Sequence, residues 1–285
     1  MRSTSMSALG ALWKSSHPGP TLVVTALAGL LALSAELELW RGALLTAAVF
    51  FGQLSVGLSN DALDAERDRA VQRSDKPIAR GDISVRAAWA ATWACLGAAL
   101  LLSAPLGAGL LTAHAAALAS AWAYNAGLKA TALSVLPYMV TFGIFPSLPV
   151  LADEPAQWAG VWVWCTGAAL GIALHFTNVL PDLEDDARTG IRGLPHRLGG
   201  QISALGASAA VVVGAAAATL GPAQWRAAEV PAVSWLLFGA VVVLAAFTVA
   251  AGRGARSGRL QFRLVMLAAL ILAVQLVLSG GSLTA

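Results

Sequence analysis

Long apolar runs separated by short polar connections dominate the sequence. Nine windows of mostly apolar residues follow one another along the chain, each close to the length of about 20 residues that crosses a bilayer as a helix. They cover residues 19–36, 41–59, 85–104, 107–124, 131–151, 157–178, 200–220, 231–251 and 262–280. Because no long polar linker divides them, the pattern predicts an all-α integral membrane protein: one domain over residues 1–285 with nine transmembrane helices.

The composition and the distribution of charge agree with this prediction. The chain is 58% hydrophobic and 12% charged, whereas roughly a quarter of the residues of a soluble protein are charged. Of the 18 Lys and Arg residues, only Arg41 and Arg226 fall on one side of the predicted bundle. This bias predicts that the N-terminus and the two long polar connections are cytoplasmic and the C-terminus is outside, in a bacterial-type cell membrane. It also accounts for the basic excess through the lipid bilayer, without a nucleic-acid partner.

Two of these connections carry the same spacing of amide and acidic side chains. Residues four apart share one face of a helix, where like charges repel each other. Mg²⁺ prefers such oxygen ligands, so the repeat predicts a magnesium site whose four aspartates are the candidates for catalysis. The six candidate ligands are Asn60, Asp64 and Asp68 in the first motif and Asn178, Asp182 and Asp186 in the second.

Basic side chains follow each motif and could hold a diphosphate that bridges the two metal-binding faces. Arg and Lys bind phosphate oxygens through charge-assisted hydrogen bonds. The candidates are Arg73, Lys76, Lys129, Arg188 and Arg192, together with Tyr124. Acids and bases could simply decorate solvated loops, but two identically spaced copies that both end even-numbered windows argue against decoration.

Several other polar residues lie near the motifs along the chain. Asp61 is on a different helix face from Asp64, so we expect it to contact the residues that bind the ligands and not the metal itself. His175 and Tyr138 are candidates to contact a second substrate, although ordinary packing contacts would explain them equally well. His196 is expected in a solvated loop.

These segments resemble the UbiA superfamily of intramembrane prenyltransferases. The first is NDALDAERDRAVQRSDKPIARGDIS, the second is NVLPDLEDDARTGIRGLPHRLG, and YNAGLK is similar to the family's segment between the fourth and fifth spans. The resemblance implies nine helices around a central cavity, with Mg²⁺ and an isoprenyl diphosphate bound by the metal and diphosphate candidates named above. One departure is that the first loop is a residue shorter before Lys76 than in some relatives.

The function that this resemblance implies is Mg²⁺-dependent transfer of an isoprenyl group from a polyprenyl diphosphate to an aromatic acceptor, in quinone or related lipid biosynthesis. The diphosphate would leave, and the aromatic ring would attack the resulting allylic cation. Two alternatives stay open. A terpene cyclase of this family would use the same metal motifs without an acceptor. An ion transporter could use paired acids as its ion site, although no acid falls in the middle of an apolar window.

Overall fold

A computed structural model shows a chain built from helices. It describes residues 7–180, 183, 190–251, 257–279 and 282–284, and these contain no β-strand. Their helices are α1 (Ala8–Ser15), α2 (Pro18–Ser34), α3 (Leu39–Ala70), α4 (Pro77–Arg80), α5 (Val85–Ser103), α6 (Ala108–Ala126), α7 (Leu136–Ile144), α8 (Leu148–Leu151), α9 (Val161–Val179), α10 (Leu194–Leu198), α11 (Gly200–Leu220), α12 (Ala232–Ala251) and α13 (Ser257–Leu278). Short 3₁₀ turns lie at Ala104–Leu106, Leu128–Ala130, Phe145–Ser147 and Ala227–Glu229.

Each apolar window coincides with helix in the part of the chain that the structure describes. Within that part, five segments are long and apolar enough to cross a membrane, or six if α1 and α2, which are bent by 69°, form one span. Nine spans therefore stays a prediction. The five segments are Leu39–Leu63, Val85–Leu106, Gly200–Leu220, Ala232–Ala251 and Leu260–Leu278.

The fifth window is divided into three short helical pieces instead of one uniform helix. Pro146 and Pro149 lie within it, after α7 has begun with Pro137 at its first turn. Proline lacks the backbone N–H that the helix interior requires, so it breaks the regular hydrogen-bond pattern. The window is apolar throughout, but its path is α7, a 3₁₀ turn and α8.

α3 is much longer than the window that predicts it. It runs to Ala70, so the whole first motif is helical and extends beyond the apolar segment that ends at Leu63. Its polar end is held by a small apolar cluster in which Ala62 and Ala65 pack with Ile78 of α4 and Ala11 of α1. The cluster fixes the first motif against the loop that follows it.

Close backbone packing joins α7 to α9 beneath the second motif. A β-carbon on Gly167 would lie 2.1 Å from the Phe142 carbonyl oxygen, and one on Gly171 would lie 2.3 Å from that of Tyr138. Small residues of this kind let membrane helices approach closely. The approach brings Tyr138 against the end of α9 that carries His175, with ring centroids 5.1 Å apart.

Candidate active site

A cavity of about 150 Å³ lies where the first motif meets the end of α9. α3 contributes Asn60, Asp64 and Arg67, and the 3₁₀ turn after α6 contributes Lys129. Lys129 is 65 residues from Asp64 in the sequence, and the four side chains give the cavity both acidic and basic groups. The complete lining is Asn60, Asp64, Arg67, Tyr124, Lys129, His175, Val179, Ile191, Gly193, Pro195 and His196.

Asp64 is held between two cations in this cavity. Lys129 Nζ lies 2.7 Å from Asp64 Oδ1 and 2.6 Å from Oδ2, and Arg67 donates to Oδ2 at 2.9 Å. Lys129 also donates to Asn60 Oδ1 at 3.3 Å. Because Asp64 is only 8% exposed, its charge is compensated mainly by these two basic side chains.

Asp68 lies one helical turn further on, and its negative charge is less well compensated than that of Asp64. It is 3% exposed, and Arg67 Nη2 lies 3.8 Å from Asp68 Oδ1. Burial, reinforced by the charge of Asp64, raises the pKa of Asp68 although Lys76 and Arg67 oppose the shift. Burial likewise lowers the pKa of the Lys129 ammonium, against the opposing effect of Asp64. A further cation would stabilise this pair of carboxylates.

Lys76 points to Asp61, which lies off the helix face shared by Asn60, Asp64 and Asp68, as its position in the helix predicts. Lys76 Nζ is 2.6 Å from Asp61 Oδ1, and His17 Nε2 is 2.8 Å from the same oxygen. Arg73, the other basic residue of this loop, donates to Asp75 at 2.9 and 2.8 Å near the surface, and this lowers the pKa of Asp75. No pattern in the sequence marks His17, which is 44 residues from Asp61.

An aromatic and imidazole wall closes the other side of the cavity: Tyr124 and His175 line the cavity, and Tyr138 packs against both of them. The rings of Tyr124, Tyr138 and His175 pack against one another with centroids 5.1 to 5.8 Å apart. The Tyr138 hydroxyl also hydrogen-bonds with Asn178 and with Tyr124. His196 lines the same cavity and is half-buried. The expectation of a solvated His196 is therefore wrong, because α10 folds back onto the cavity.

The second motif is only partly visible in the structure. Asp182, Asp186 and Arg188 lie outside the described residues, while Asn178 is exposed at the end of α9 and Arg192 is exposed before α10. In the described part of the chain, no three His, Cys, Asp or Glu side chains are grouped as a metal site. The contribution of the second motif stays a prediction.

The fold and the cavity define a helical protein of the membrane with an acid-and-base pocket at the end of its apolar helices. The family model of the UbiA prenyltransferase family matches residues 22–271. The chain belongs to this family. A search of curated proteins found no significant match.

Solved structures share the fold at low sequence identity. A UbiA homolog from Archaeoglobus fulgidus bound to DMAPP and Mg²⁺ has a TM-score of 0.74 at 16% identity, covering 94% of this chain and 99% of its own. A UbiA homolog from Aeropyrum pernix K1 has a TM-score of 0.72 at 18% identity, covering 90% of this chain and 96% of its own. A digeranylgeranylglyceryl phosphate synthase has a TM-score of 0.71 at 14% identity, covering 96% of this chain and 98% of its own.

Proposed function

We propose that the protein is a Mg²⁺-dependent prenyltransferase that joins the isoprenyl group of a prenyl diphosphate to an aromatic acceptor. The observation that carries the proposal is the buried carboxylate of Asp64, held at the cavity by Lys129 and Arg67. Such a site offers acids to a metal ion and bases to a diphosphate within one pocket. The Archaeoglobus fulgidus homolog with DMAPP and Mg²⁺ bound supports the same chemistry for this chain.

The donor set of the first motif suits Mg²⁺. Asn60, Asp64 and Asp68 supply oxygen atoms from one helix face, and the two carboxylates are buried close enough for Asp64 to raise the pKa of Asp68. The Asp-rich segment that begins at Asn178 would complete the ligand set. Bound Mg²⁺ would neutralise charge on the diphosphate and so make it a better leaving group.

The basic residues are proposed to bind the diphosphate oxygens that the metal leaves free. Lys129 lines the cavity, and its ammonium carries three hydrogen-bond donors, of which Asp64 and Asn60 accept some. Arg67 lines the same cavity from α3. The other proposed diphosphate ligands come from the flanking loops and from α6: Arg73, Lys76, Arg188, Arg192 and Tyr124.

His175 supports an acceptor-dependent reaction over cyclisation. Ser134 Oγ accepts from the Leu194 N–H at 2.8 Å and lies 3.0 Å from His175 Nε2, so its own proton is available to donate to that nitrogen. In the tautomer in which Ser134 donates to Nε2, the Nδ1 atom carries the imidazole proton. Nδ1 is buried without a hydrogen-bond partner among the described residues, which is costly unless a ligand supplies an acceptor. An oxygen of the aromatic substrate would fill this role.

The proposed reaction balances without a strong base. The allylic C–O bond breaks and its electron pair leaves with the diphosphate. The aromatic ring then forms a C–C bond to the allylic carbon and loses a proton to the released diphosphate, which restores aromaticity. Tyr138 is stacked on Phe142, with centroids 6.1 Å apart, and such ring faces stabilise a neighbouring cation.

The test is an assay of purified protein with Mg²⁺, prenyl diphosphates of several lengths and aromatic acids such as hydroxybenzoate or dihydroxynaphthoate. A prenylated aromatic product is the expected result. Hydrocarbon formed without any acceptor would favour the cyclase, and Mg²⁺ flux without diphosphate release would favour the transporter. A glyceryl phosphate lipid is included as acceptor, because one structure of this fold is a digeranylgeranylglyceryl phosphate synthase.

A further inference from the structure

We infer that His17 is a positioning residue for the diphosphate-binding loop and acts on Lys76 through Asp61. The inference rests on the proposed function, since it concerns how Lys76 is presented to a prenyl diphosphate. His17 lies outside both acidic motifs, between α1 and α2. Its contacts nevertheless lead directly into the first motif.

The side chains of His17, Asp61 and Lys76 meet at one carboxylate oxygen. His17 Nε2 lies 2.8 Å and Lys76 Nζ 2.6 Å from Asp61 Oδ1, and the two nitrogens are 3.4 Å apart. A carboxylate oxygen only accepts hydrogen bonds, so Nε2 donates to Asp61. Since the Asp61 side chain is 2% exposed, its charge is compensated mainly by these two donors, with a longer contact of 3.4 Å from Asn60 Nδ2.

The backbone at His17 adopts an uncommon conformation. Its φ of 56° and ψ of 70° lie in the left-handed region, which is unfavourable for residues with a β-carbon. Such a conformation persists only where the surrounding structure requires it, and it occurs often at functional sites. Here it forms the 69° bend between α1 and α2, and the imidazole at this bend contacts α3.

The bend is fixed against α3 just before the first motif. A β-carbon on Gly57 would lie 2.3 Å from the Ser16 carbonyl oxygen, so the two backbones are in direct contact. Thr21 Oγ1 donates to the same carbonyl at 2.8 Å. On the other side, Ala11 of α1 packs with Ile78 of α4, the helix that begins directly after Lys76. The N-terminal segment thus touches both the helix and the loop of the motif.

This geometry determines how strongly Asp61 holds Lys76. By donating to Oδ1, His17 takes up part of the negative charge of Asp61, so the carboxylate competes less with a diphosphate for the Lys76 ammonium. Without the imidazole, Asp61 Oδ1 would keep Lys76 and the weaker Asn60 Nδ2 contact at 3.4 Å, and it would hold Lys76 more firmly. Loss of His17 should therefore weaken diphosphate binding even though His17 does not touch the substrate.

The test measures binding of geranyl diphosphate with Mg²⁺ to the purified full-length protein by calorimetry. In His17→Gly, glycine keeps the left-handed backbone without strain and only the imidazole is lost. We expect binding about tenfold weaker, the effect of one lost hydrogen bond to a charged group. Lys14→Ala, which removes an exposed charge of α1 three residues away, should bind as the wild type does.

A coupling measurement separates positioning from a structural role. If His17 acts through Lys76, His17→Gly should have no further effect in a Lys76→Met background. Unchanged binding by His17→Gly, or losses that add fully in the double variant, would overturn the inference. If His17→Gly does not fold, His17→Asn, which tolerates a left-handed backbone but has a shorter side chain, must show the same weakening. A wild type that does not bind geranyl diphosphate would instead refute the proposed function.

Discussion

At the scale of single residues, the central feature is a buried carboxylate whose charge partners come from two directions. Asp64 receives Arg67 from its own helix and Lys129 from the turn after α6. A buried charge is tolerated only when it is paired and hydrogen-bonded, and here both pairs lie at the cavity wall. In the proposed function, Asp64 would exchange its basic partners for a metal ion while those partners bind a diphosphate.

Replacing Asp64 by Asn should abolish turnover while the protein stays folded. The substitution keeps the size of the side chain and one acceptor oxygen but removes the charge that a metal ion requires. We expect a loss of at least about a hundredfold in diphosphate release under steady-state conditions, since metal stabilisation is worth several kcal/mol. Glu66→Gln, which removes an exposed carboxylate from the same helix, is the matched control and should keep its activity. An active Asp64→Asn would remove Asp64 from the site.

The residues that the sequence marks and those that it misses differ for a physical reason. Spacing along one helix shows that Asn60 and Asp64 share a face, because that geometry is local. The contact of His17 with Asp61, and that of Ser134 with His175 at 3.0 Å, join segments more than 40 residues apart. Nothing local in the sequence encodes such contacts, and neither His17 nor Ser134 lies in an acidic motif.

At the scale of helices, contact between the backbones of α7 and α9 determines where the aromatic wall lies. The space of a β-carbon on Gly171 is already taken by the Tyr138 carbonyl oxygen, 2.3 Å away. Backbone atoms cannot turn aside as a flexible side chain can, so any larger residue must separate the helices. The wall of Tyr138 and His175 depends on this contact.

Gly171→Ala should destabilise the protein by about 1–3 kcal/mol, the usual cost of overpacking a close contact. The measurement is thermal unfolding in detergent, and the same variant should also lose acceptor-dependent activity because Tyr138 moves. Gly97→Ala on α5 is the matched control. Its added β-carbon would meet nothing within 4 Å, so its stability should equal or exceed that of the wild type. Equal melting temperatures for both variants would refute the packing argument.

Hydropathy predicts where the helices lie better than where they end or break. The window 41–59 stops at the first polar residues, but α3 continues to Ala70 because the Ala, Arg and Glu residues that follow favour helix. In the same way, the apolar window 131–151 contains prolines that interrupt the helix without changing the hydropathy. Both differences affect the site, since α3 carries the first motif and α7 carries Tyr138.

At the scale of the whole molecule, the distribution of Lys and Arg predicts a cytoplasmic pocket. A fluorescent protein that folds only in the cytoplasm should be dark when fused to the C-terminus and bright when inserted near residue 74, in the first motif loop. A periplasmic phosphatase reporter at the same two positions should give the opposite pattern. The same signal at both positions would show that the first motif loop and the C-terminus lie on one side of the membrane, which would contradict the predicted topology.

In the proposed function, both acidic motifs hold one Mg²⁺-bound diphosphate. The most direct test is calorimetric binding of geranyl diphosphate to the wild type, Asp64→Asn and Asp182→Asn, each with Mg²⁺ and with a chelator. We predict that the wild type binds only with Mg²⁺ and that each variant binds at least about tenfold more weakly, as expected when a charged ligand is lost. Equal affinity for Asp182→Asn and the wild type, or binding in the chelator, would contradict the two-motif site.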